Sequence, residues 1–217
     1  MKKTERVKFG LESASIYVPD YDKIVVMSEI KGPLLLVISA PSGGGKTTLT
    51  RELVRRNQYF VPSVSSTTRP PRPTEIPDQD YIFMDQEKFE TLIADNAFAE
   101  WAEVHGHKYG TLKKTIDESL TQEKVLILTI DVQGATNIKK TYPDSMTVFV
   151  KPPDFDILET RLRKRGTENE EDIRRRLENA RKEMTESKNF EHTVLNDRLE
   201  RVALEIESLV KQKLKIS

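Results

Sequence analysis

The segment LLLVISAPSGGGKTTL, residues 34–49, decides the fold class of this chain. It opens on a continuous apolar run, Leu34–Ile38, whose length and composition are typical of a buried β-strand. Three consecutive glycines follow, and then a lysine and two threonines begin an amphipathic helical pattern. Glycine destabilises regular structure by about 0.5–1 kcal/mol relative to alanine, so a triplet of glycines indicates a backbone that approaches another molecule closely.

Strand, glycine-rich turn and helix in this order form the phosphate-binding loop pattern G-x-x-x-x-G-K-[ST]. Backbone N–H groups of residues 43–46 are expected to surround phosphates at the helix N-terminus, where the helix dipole also favours an anion. Lys46 is expected to contact the β- and γ-phosphates, and the Thr47 hydroxyl is expected to bind Mg²⁺. Ala40 stands where the pattern has its first glycine, and its small side chain fits the turn. The predicted ATP site comprises Ala40, Pro41, Ser42, Gly43, Gly44, Gly45, Lys46, Thr47 and Thr48.

The composition is that of a soluble globular protein with a highly charged surface. Of the 217 residues 36% are hydrophobic, and 35 Lys and Arg balance 35 Asp and Glu, which argues against nucleic acid or an anionic membrane as partner. The absence of cysteine excludes disulfides, thiolate zinc sites and cysteine nucleophiles. The apolar runs are far shorter than the ~20 residues of a membrane span, and the first residues lack the apolar centre of a secretory signal. A cytoplasmic location is therefore expected.

Strands alternate with helices along most of the chain, and the runs LLLVI, VLILTI and MTVFV are almost wholly apolar. Such strands predict an α/β fold with a parallel sheet flanked by helices. The alternating stretch Tyr59–Arg69 is predicted as one strand. Later strands are short and half-polar, which indicates an inserted mixed α+β lobe. The predicted parts are an N-terminal surface extension (1–31), a core (32–64, 118–160 and 190–217), the inserted lobe (about 65–117) and a charged helical segment (about 161–189).

Further blocks of sequence, in this order and spacing, resemble the guanylate kinase family. They are SAPSGGGKTTL, SVSSTTRPPRP, DYIF, FAEWAEVHGHKYGT, TIDVQG, RLRKRGTENEEDIRRRL and VLND, and the resemblance runs from about residue 32 to 213. It implies a P-loop core, a lobe that binds a nucleoside monophosphate (65–117) and a mobile helical lid (161–189). The implied reaction is ATP-dependent phosphorylation of GMP to GDP in purine nucleotide metabolism, with Mg²⁺ as cofactor and dGMP as a further acceptor.

GMP presents a phosphate and a guanine edge, and a second set of residues suits both. Arg69 and Arg72, three residues apart in a proline-bounded loop, can clamp a phosphate through bidentate hydrogen bonds. By the resemblance, Tyr81 and Tyr109 add hydroxyl donors to that phosphate. Guanine presents N–H donors that a carboxylate accepts, and the resemblance gives this role to Glu100. The GMP site implied by the resemblance comprises Ser65, Arg69, Arg72, Tyr81, Glu100, Tyr109, Thr111 and Asp131.

Phosphoryl transfer needs positive charge around the migrating group. The resemblance gives this catalytic role to Lys46 and to three lid arginines, Arg161, Arg165 and Arg176. The neighbouring basic residues Arg163, Lys164, Arg174 and Arg175 are expected on exposed helix faces, where interleaved acids argue against a nucleic-acid surface.

Asn196 and Asp197 of the VLND block resemble the stretch beside the donor adenine, although Asn-Asp is also an ordinary turn. Asp131 has a second reading as the N-cap of the following helix, and both roles could hold at once. The chain departs from the family at Thr129, where another acid usually stands, which leaves the organisation of Mg²⁺ and water open.

The sequence leaves two other functions as alternatives. One is a non-catalytic guanylate-kinase-like module that binds peptides, although such modules have degraded phosphate loops and this chain keeps Lys46 and Thr47. The other is a P-loop kinase that acts on a different phosphorylated acceptor. The sequence does not decide between a monomer and a homo-oligomer.

Overall fold

The computed structural model describes residues 30–73, 75–104, 106–163 and 170–216, apart from the side chain of Asp172. Its strands are β1 (Leu34–Ser39), β2 (Phe60–Pro62), β3 (Ser65–Thr67), β4 (Tyr81–Phe83), β5 (Phe98–Val104), β6 (His107–Leu112), β7 (Val125–Thr129), β8 (Met146–Lys151) and β9 (His192–Leu195). Its helices are α1 (Lys46–Arg56), α2 (Gln86–Ala94), α3 (Lys113–Thr121), α4 (Val132–Thr141), α5 (Phe155–Arg163), α6 (Glu170–Thr185) and α7 (Leu199–Leu214), with a 3₁₀ turn at Glu186–Asn189.

Five strands form a parallel sheet in the order β2-β7-β1-β8-β9. The central strand β1 is buried at every residue, because other strands flank both its edges and helices cover both its faces. Its alternate side chains enter two hydrophobic clusters. Leu34, Leu36 and Ile38 pack with α1 and α7, whereas Leu35 and Val37 pack with α3 and α4. The predicted α/β fold with a helix-flanked parallel sheet is confirmed.

The ordered core begins earlier than the predicted boundary at residue 32. Ile30 was expected in the surface extension, but its side chain is 1% exposed and belongs to the cluster that contains Leu34. An apolar side chain just before a central strand covers the end of the core, and its removal from water stabilises the folded state. The rest of the predicted extension, residues 1–29, lies outside the described residues.

The stretch predicted as a single strand at Tyr59–Arg69 forms two strands that belong to different sheets. β2 pairs with β7 in the core sheet, and β3 pairs with β4 and β6. The chain leaves the core sheet only after Ser63, whose N–H still bonds to the Ile127 carbonyl of β7 at 2.9 Å. Local alternation of side chains predicts strand, but it does not show that the pairing partner changes within the run.

The second sheet has four strands in the order β4-β3-β6-β5. β3 and β4 are parallel, while β6 is antiparallel to both β3 and β5. Together with α2 it lies between β2 and β7 in the chain, as expected of an inserted mixed α+β part. The predicted charged segment, about 161–189, contains the end of α5, all of α6 and the 3₁₀ turn. Its residues 164–169 lie outside the described residues. None of the helices in the described residues is long and apolar enough to span a bilayer.

A buried ion pair joins the first helix to the last. Arg56 Nε donates to Glu207 Oε1 at 2.7 Å, and the exposed fractions of the two side chains are 15% and 3%. Glu52 Oε1 lies 3.7 Å from Arg56 Nη1 and is a second counter-charge for the same guanidinium. Because α1 begins at the glycine-rich loop, this pair holds the helix that supports the loop against the C-terminal helix.

We expect Glu207→Ala to lower the free energy of unfolding by about 2–3 kcal/mol, because it leaves a buried guanidinium with only part of its counter-charge. Urea denaturation followed by circular dichroism measures the change. Glu205→Ala is the control on the same helix, since Glu205 pairs with Arg201 at the surface and its loss should cost less than about 1 kcal/mol. Equal losses in the two variants would contradict this account of the buried pair.

Candidate active site

The glycine-rich loop lies between β1 and α1 and surrounds a cavity of about 200 Å³ that is lined by residues 41–48. Gly43 and Gly45 have φ angles of 81° and 94°, in a region that side chains with a Cβ rarely adopt. The Gly45 carbonyl accepts a hydrogen bond from Leu49 N at 3.0 Å and so begins α1. The loop thus leads directly into a helix N-terminus, the expected position for an anion.

One backbone donor of the loop differs from expectation. We expected the N–H groups of all four residues 43–46 to face a phosphate, but Gly44 N donates to the Pro41 carbonyl at 2.8 Å and closes a turn. A donor that closes the turn is not directed at an anion in this conformation. The donors still expected to face a phosphate are those of Gly43 and Gly45 and of the first turn of α1.

The departure at Ala40 is explained by packing. Its side chain is buried in the core, and its Cβ lies only 2.8 Å from the position that a Cβ on Gly44 would occupy. The methyl group therefore fills the space beneath the loop, and Gly44 must lack a side chain. Lys46 folds back, and its Nζ donates to the Ala40 carbonyl.

Helices α5 and α6 pack directly against the loop. A Cβ on Gly43 would lie 3.2 Å from Leu158 and 3.1 Å from Leu162 of α5. Arg176 of α6, one of the predicted lid arginines, donates from Nη1 to Ser42 Oγ at 3.1 Å. Arg161 is half-buried on α5, and Arg165 lies outside the described residues. Arg163, as expected, is at the surface and pairs with acids of α5 and α6.

Glu183 is a residue at the loop that the sequence analysis missed. Its carboxylate accepts a hydrogen bond from the backbone N–H of Ser42, and its Oε2 is buried without a hydrogen-bond partner among the described residues. Burial raises the pKa of Glu183, while the charge of Lys46 and the Ser42 hydrogen bond oppose that rise. Glu183 follows Arg176 by seven residues, which is two helical turns, so this spacing could have indicated that both side chains share one face of α6.

The second sheet collects most residues of the predicted GMP site on one of its faces. Ser65 pairs with Tyr81, Thr67 pairs with Tyr109, and Glu100 pairs with Thr111, and cross-strand partners point to the same side of a sheet. Residues 65 and 67, and likewise 109 and 111, are two apart on their strands and so share a face. The five predicted residues on this face are Ser65, Tyr81, Glu100, Tyr109 and Thr111.

A β-bulge in β5 gives Glu100 this orientation. Phe98 pairs with Leu112, but Glu100 pairs with Thr111, so β5 holds one extra residue there. In regular alternation Glu100 would share the face of Phe98, whose ring stacks on Phe89 of α2 with centroids 4.4 Å apart. The bulge instead turns the carboxylate to the face that carries Thr111.

The two predicted phosphate-clamp arginines differ in their surroundings. Arg69 is held in place, because its Nη2 donates to Glu75 Oε1 at 2.7 Å and its guanidinium carbon lies 5.5 Å from the centre of the Tyr81 ring. Arg69 also has a hydrogen-bond interaction with Tyr109. The side chain of Arg72 is 71% exposed, while its backbone N–H donates to Glu75 Oε2 at 2.8 Å. Glu75, which the sequence analysis did not single out, thus fixes the loop that carries both arginines.

Glu100 is a buried carboxylate with few partners. Its side chain accepts a hydrogen bond from Thr111 Oγ1 at 2.8 Å, and the residue is 8% exposed. Burial raises the pKa of Glu100 to about 7, with the nearby charge of Asp131 adding to the rise and the Thr111 hydrogen bond opposing it. A Cβ on Gly134 would lie 3.1 Å from Glu100 Oε2 and 3.4 Å from Asp131 Oδ1, so the start of α4 closes over both acids.

Comparison with known proteins identifies the family. A sequence model described as guanylate kinase matches residues 33–213. The guanylate kinase of Anaeromyxobacter dehalogenans is 48% identical over 180 residues, which cover 82% of this chain and 80% of that protein. The guanylate kinase of Carboxydothermus hydrogenoformans is 44% identical over 183 residues, which cover 84% and 90% of the two chains. This chain belongs to the guanylate kinase family.

The fold agrees with a solved member of the guanylate kinase family. The crystal structure of guanylate kinase from Anaplasma phagocytophilum superposes with a TM-score of 0.68 at 27% sequence identity. The match covers 84% of this chain and 87% of that one. The resemblance that was drawn from the sequence blocks is confirmed at the level of the family and of the fold.

The two acids expected at the end of β7 in this family reduce to one here. Thr129 is exposed at the last position of the strand, and Asp131 caps α4, its Oδ1 accepting from Gly134 N at 2.7 Å. The alternative reading of Asp131 as an N-cap is therefore correct. One carboxylate oxygen in a cap leaves the other for a further partner, so the predicted role toward GMP stays a prediction.

The VLND block divides into a buried and an exposed residue. Asn196 is buried and donates from Nδ2 to the Gly44 carbonyl at 2.8 Å. Asp197 is exposed, and its carboxylate accepts from Arg201 Nε at 2.7 Å. The side chain of Asn196 thus contacts the glycine-rich loop itself, whereas Asp197 lies at the surface just before α7.

The raised pKa of Glu100 predicts that the native protein loses stability as the pH rises. The folded pKa is about 7, above the ordinary value of 4.5, so the native state binds the proton more tightly than the unfolded state. Stability is full below the unfolded pKa and falls by about 2–3 kcal/mol between pH 5 and 8. Glu100→Gln, which cannot ionise, should remove this loss and be the more stable protein at pH 8.

Urea denaturation at pH 5 and at pH 8 measures the effect. Glu103→Gln on the same strand is the control, because that side chain is exposed and its substitution should leave the pH dependence unchanged. An identical drop in stability for the wild type and for Glu100→Gln would show that the carboxyl group is not the source.

Proposed function

We propose that this member of the guanylate kinase family transfers the γ-phosphoryl group of ATP to GMP, forming ADP and GDP, and that it also accepts dGMP. The observation that carries the proposal is the buried carboxylate of Glu100, which shares a sheet face with Tyr81 and Tyr109. A buried acceptor suits the N–H edge of guanine, and the nearby Arg69 suits a phosphate. The intact loop around Lys46 argues against a module without catalysis.

The donor site in this proposal is the cavity of the glycine-rich loop. The triphosphate of ATP would lie against the loop and the first turn of α1, where backbone donors and the helix dipole favour an anion. Lys46 would exchange the Ala40 carbonyl for the β- and γ-phosphates. This exchange replaces a neutral acceptor by charged oxygens, which form the stronger hydrogen bonds with an ammonium group.

Mg²⁺ is proposed as the cofactor, bound together with ATP. No group of three or more His, Cys, Asp or Glu in the described part of the chain is placed to hold a metal ion. This fits Mg²⁺, which commonly takes one or two protein oxygens along with phosphates and water. The exposed Thr47 at the start of α1 lines the loop cavity and would supply such an oxygen. When bound, the ion neutralises phosphate charge.

The acceptor site in this proposal lies on the second sheet. Arg69 and Arg72 would hold the phosphate of GMP, with hydroxyl donors from Tyr81 and Tyr109. Glu100 would accept from the guanine N1–H and N2–H groups, and Ser65, Thr111 and Asp131 would complete the site. Because Glu75 and two aromatic rings already hold the Arg69 guanidinium, little side-chain entropy is lost when the phosphate binds.

In the proposed reaction an oxygen of the GMP phosphate attacks the γ-phosphorus as the bond to the ADP oxygen breaks. The chain contributes positive charge and position rather than a strong base. Arg161, Arg165 and Arg176 would join Lys46 around the migrating group. Arg176 already contacts the loop through Ser42, which supports this placement.

We further propose that each part of the chain has its own role in the reaction. Residues 65–117 would form the GMP lobe, residues 161–189 the lid, and the parallel sheet the rigid core. The partners would be the nucleotides alone, since the balance of acidic and basic residues offers no net charge that would attract nucleic acid or an anionic membrane. The proposed location is the cytoplasm. Asn196 and Asp197 remain candidates for the donor side.

Lys46→Ala should lower kcat by at least about 10³-fold without unfolding the protein, because it removes charge from the transferring phosphoryl group. A coupled assay of ADP release with GMP measures the loss, and thermal denaturation checks the fold. Lys114→Ala is the control, since that lysine is exposed on α3 and pairs only loosely with Glu118. Retention of more than about a tenth of the activity would remove Lys46 from the reaction.

Glu100→Gln should lower kcat/KM for GMP by about 10- to 100-fold, because an ionised acceptor for two N–H groups is lost. The wild type should reject AMP by about 10⁴-fold, since AMP offers the carboxylate no donors at N1 and C2. The variant should narrow this ratio and leave the KM for ATP unchanged. Glu103→Gln should alter neither value, and an unchanged GMP/AMP ratio in Glu100→Gln would contradict the proposal.

A further inference from the structure

The side chain of Asn196 approaches the phosphate loop from outside the cavity. It donates from Nδ2 to the Gly44 carbonyl at 2.8 Å, across 152 positions of sequence, and the residue is 7% exposed. The cavity is lined by residues 41–48, and Asn196 is not among them. The Gly44 carbonyl therefore points toward Asn196, a residue outside the set that lines the cavity.

The orientation of this carbonyl sets the orientation of the next backbone donor. In a trans peptide unit the C=O and the following N–H point in opposite directions. With the Gly44 carbonyl held toward Asn196, the N–H of Gly45 points toward the cavity. A peptide between two glycines lacks Cβ atoms that would restrict its rotation, so a hydrogen bond from outside the loop is needed to keep it in one orientation.

Asn196 is itself held firmly. Its backbone N–H donates to the Lys151 carbonyl at 2.7 Å, which extends the pairing of β8 with β9 by one residue. Its Nδ2 also lies 2.7 Å from the position of a Cβ on Gly45, so the amide and the glycine fit closely. The anchor of the loop thus belongs to the rigid parallel sheet.

We propose that Asn196 is a positioning residue for phosphate binding, which acts by holding the Gly44–Gly45 peptide so that its N–H faces the triphosphate. The inference rests on the proposed use of this loop for ATP. It differs from the expectation that Asn196 lies beside the adenine. In this proposal the Asn196 side chain strengthens the binding of the phosphates whether or not the ligand carries a base.

The test compares Asn196→Ala and Asn196→Asp with the wild type in binding of two ligands, ATP and inorganic tripolyphosphate, by calorimetry with Mg²⁺. Both variants keep the backbone bond to Lys151, and Asp also keeps the size of the side chain while losing the donor. We expect the affinity for both ligands to fall by about tenfold, with a larger loss for Asp, whose carboxylate would face the Gly44 carbonyl. KM for ATP should rise while KM for GMP stays unchanged.

A fall in ATP affinity with unchanged tripolyphosphate affinity would overturn the proposal in favour of a contact with the base. A rise in both KM values with a lower melting temperature would overturn it in favour of a general structural role. Asn137→Ala is the matched control, because Asn137 is exposed on α4 and should change none of these values.

If both variants fail to fold, the wild type still decides the question. The Asn196 side-chain amide should stay protected from hydrogen exchange when tripolyphosphate binds, and rapid exchange in the complex would overturn the proposal. Tripolyphosphate binding does not require GMP, so a wild type that binds tripolyphosphate but does not phosphorylate GMP would refute only the proposed function.

Discussion

The reversal of the chain between β1 and α1 encloses a cavity, and in the proposed function this reversal must leave backbone N–H groups directed at a phosphate. The rest of the proposed site depends on this constraint. Buried N–H groups normally find protein partners, so a loop that keeps donors for a ligand cannot be stabilised through them. Apart from the Gly44 N–H that closes a turn and the Ser42 N–H that bonds to Glu183, its support comes from carbonyls and side chains. Asn196 holds the Gly44 carbonyl, Arg176 holds Ser42, and leucines of α5 pack on Gly43. The loop is thus held by α5, by α6 and by the connection between β9 and α7, all of which are distant from it in sequence.

A second constraint acts at Glu100, where the proposed role in binding opposes the stability of the fold. A buried carboxylate destabilises the protein when few donors pair with it, and the raised pKa of Glu100 is the sign of this cost. The bulge in β5 that turns Glu100 toward Thr111 also interrupts regular pairing. Asp131 and Gly134 at the start of α4, which follows β7, lie beside this carboxylate. The core and the second sheet therefore meet at the proposed acceptor site.

Charges around the two proposed phosphate positions are organised before any ligand binds. Glu75 holds Arg69 in the second sheet, and Glu183 bonds to Ser42 N–H close to Lys46 in the loop. In both places a carboxylate lies beside cations that a phosphate would need. Ligand binding therefore exchanges one set of charge interactions for another, which limits the cost of desolvating the cations.

By itself the sequence determined the fold class and the family, and it predicted most of the polar residues that the structure places at the glycine-rich loop and on one face of the second sheet. Apolar strands, the glycine-rich loop and the proline-bounded arginines are local patterns, and local patterns are what periodicity and turn chemistry can predict. Only the tertiary structure decided that Tyr59–Arg69 divides between two sheets, that Ile30 belongs to the core, and that a bulge re-aims Glu100. Only it revealed the contacts of Glu183, of Glu75 and of the Asn196 side chain. These features arise from pairing register and from contacts between residues far apart in sequence, and no local pattern encodes which partner a buried group will meet.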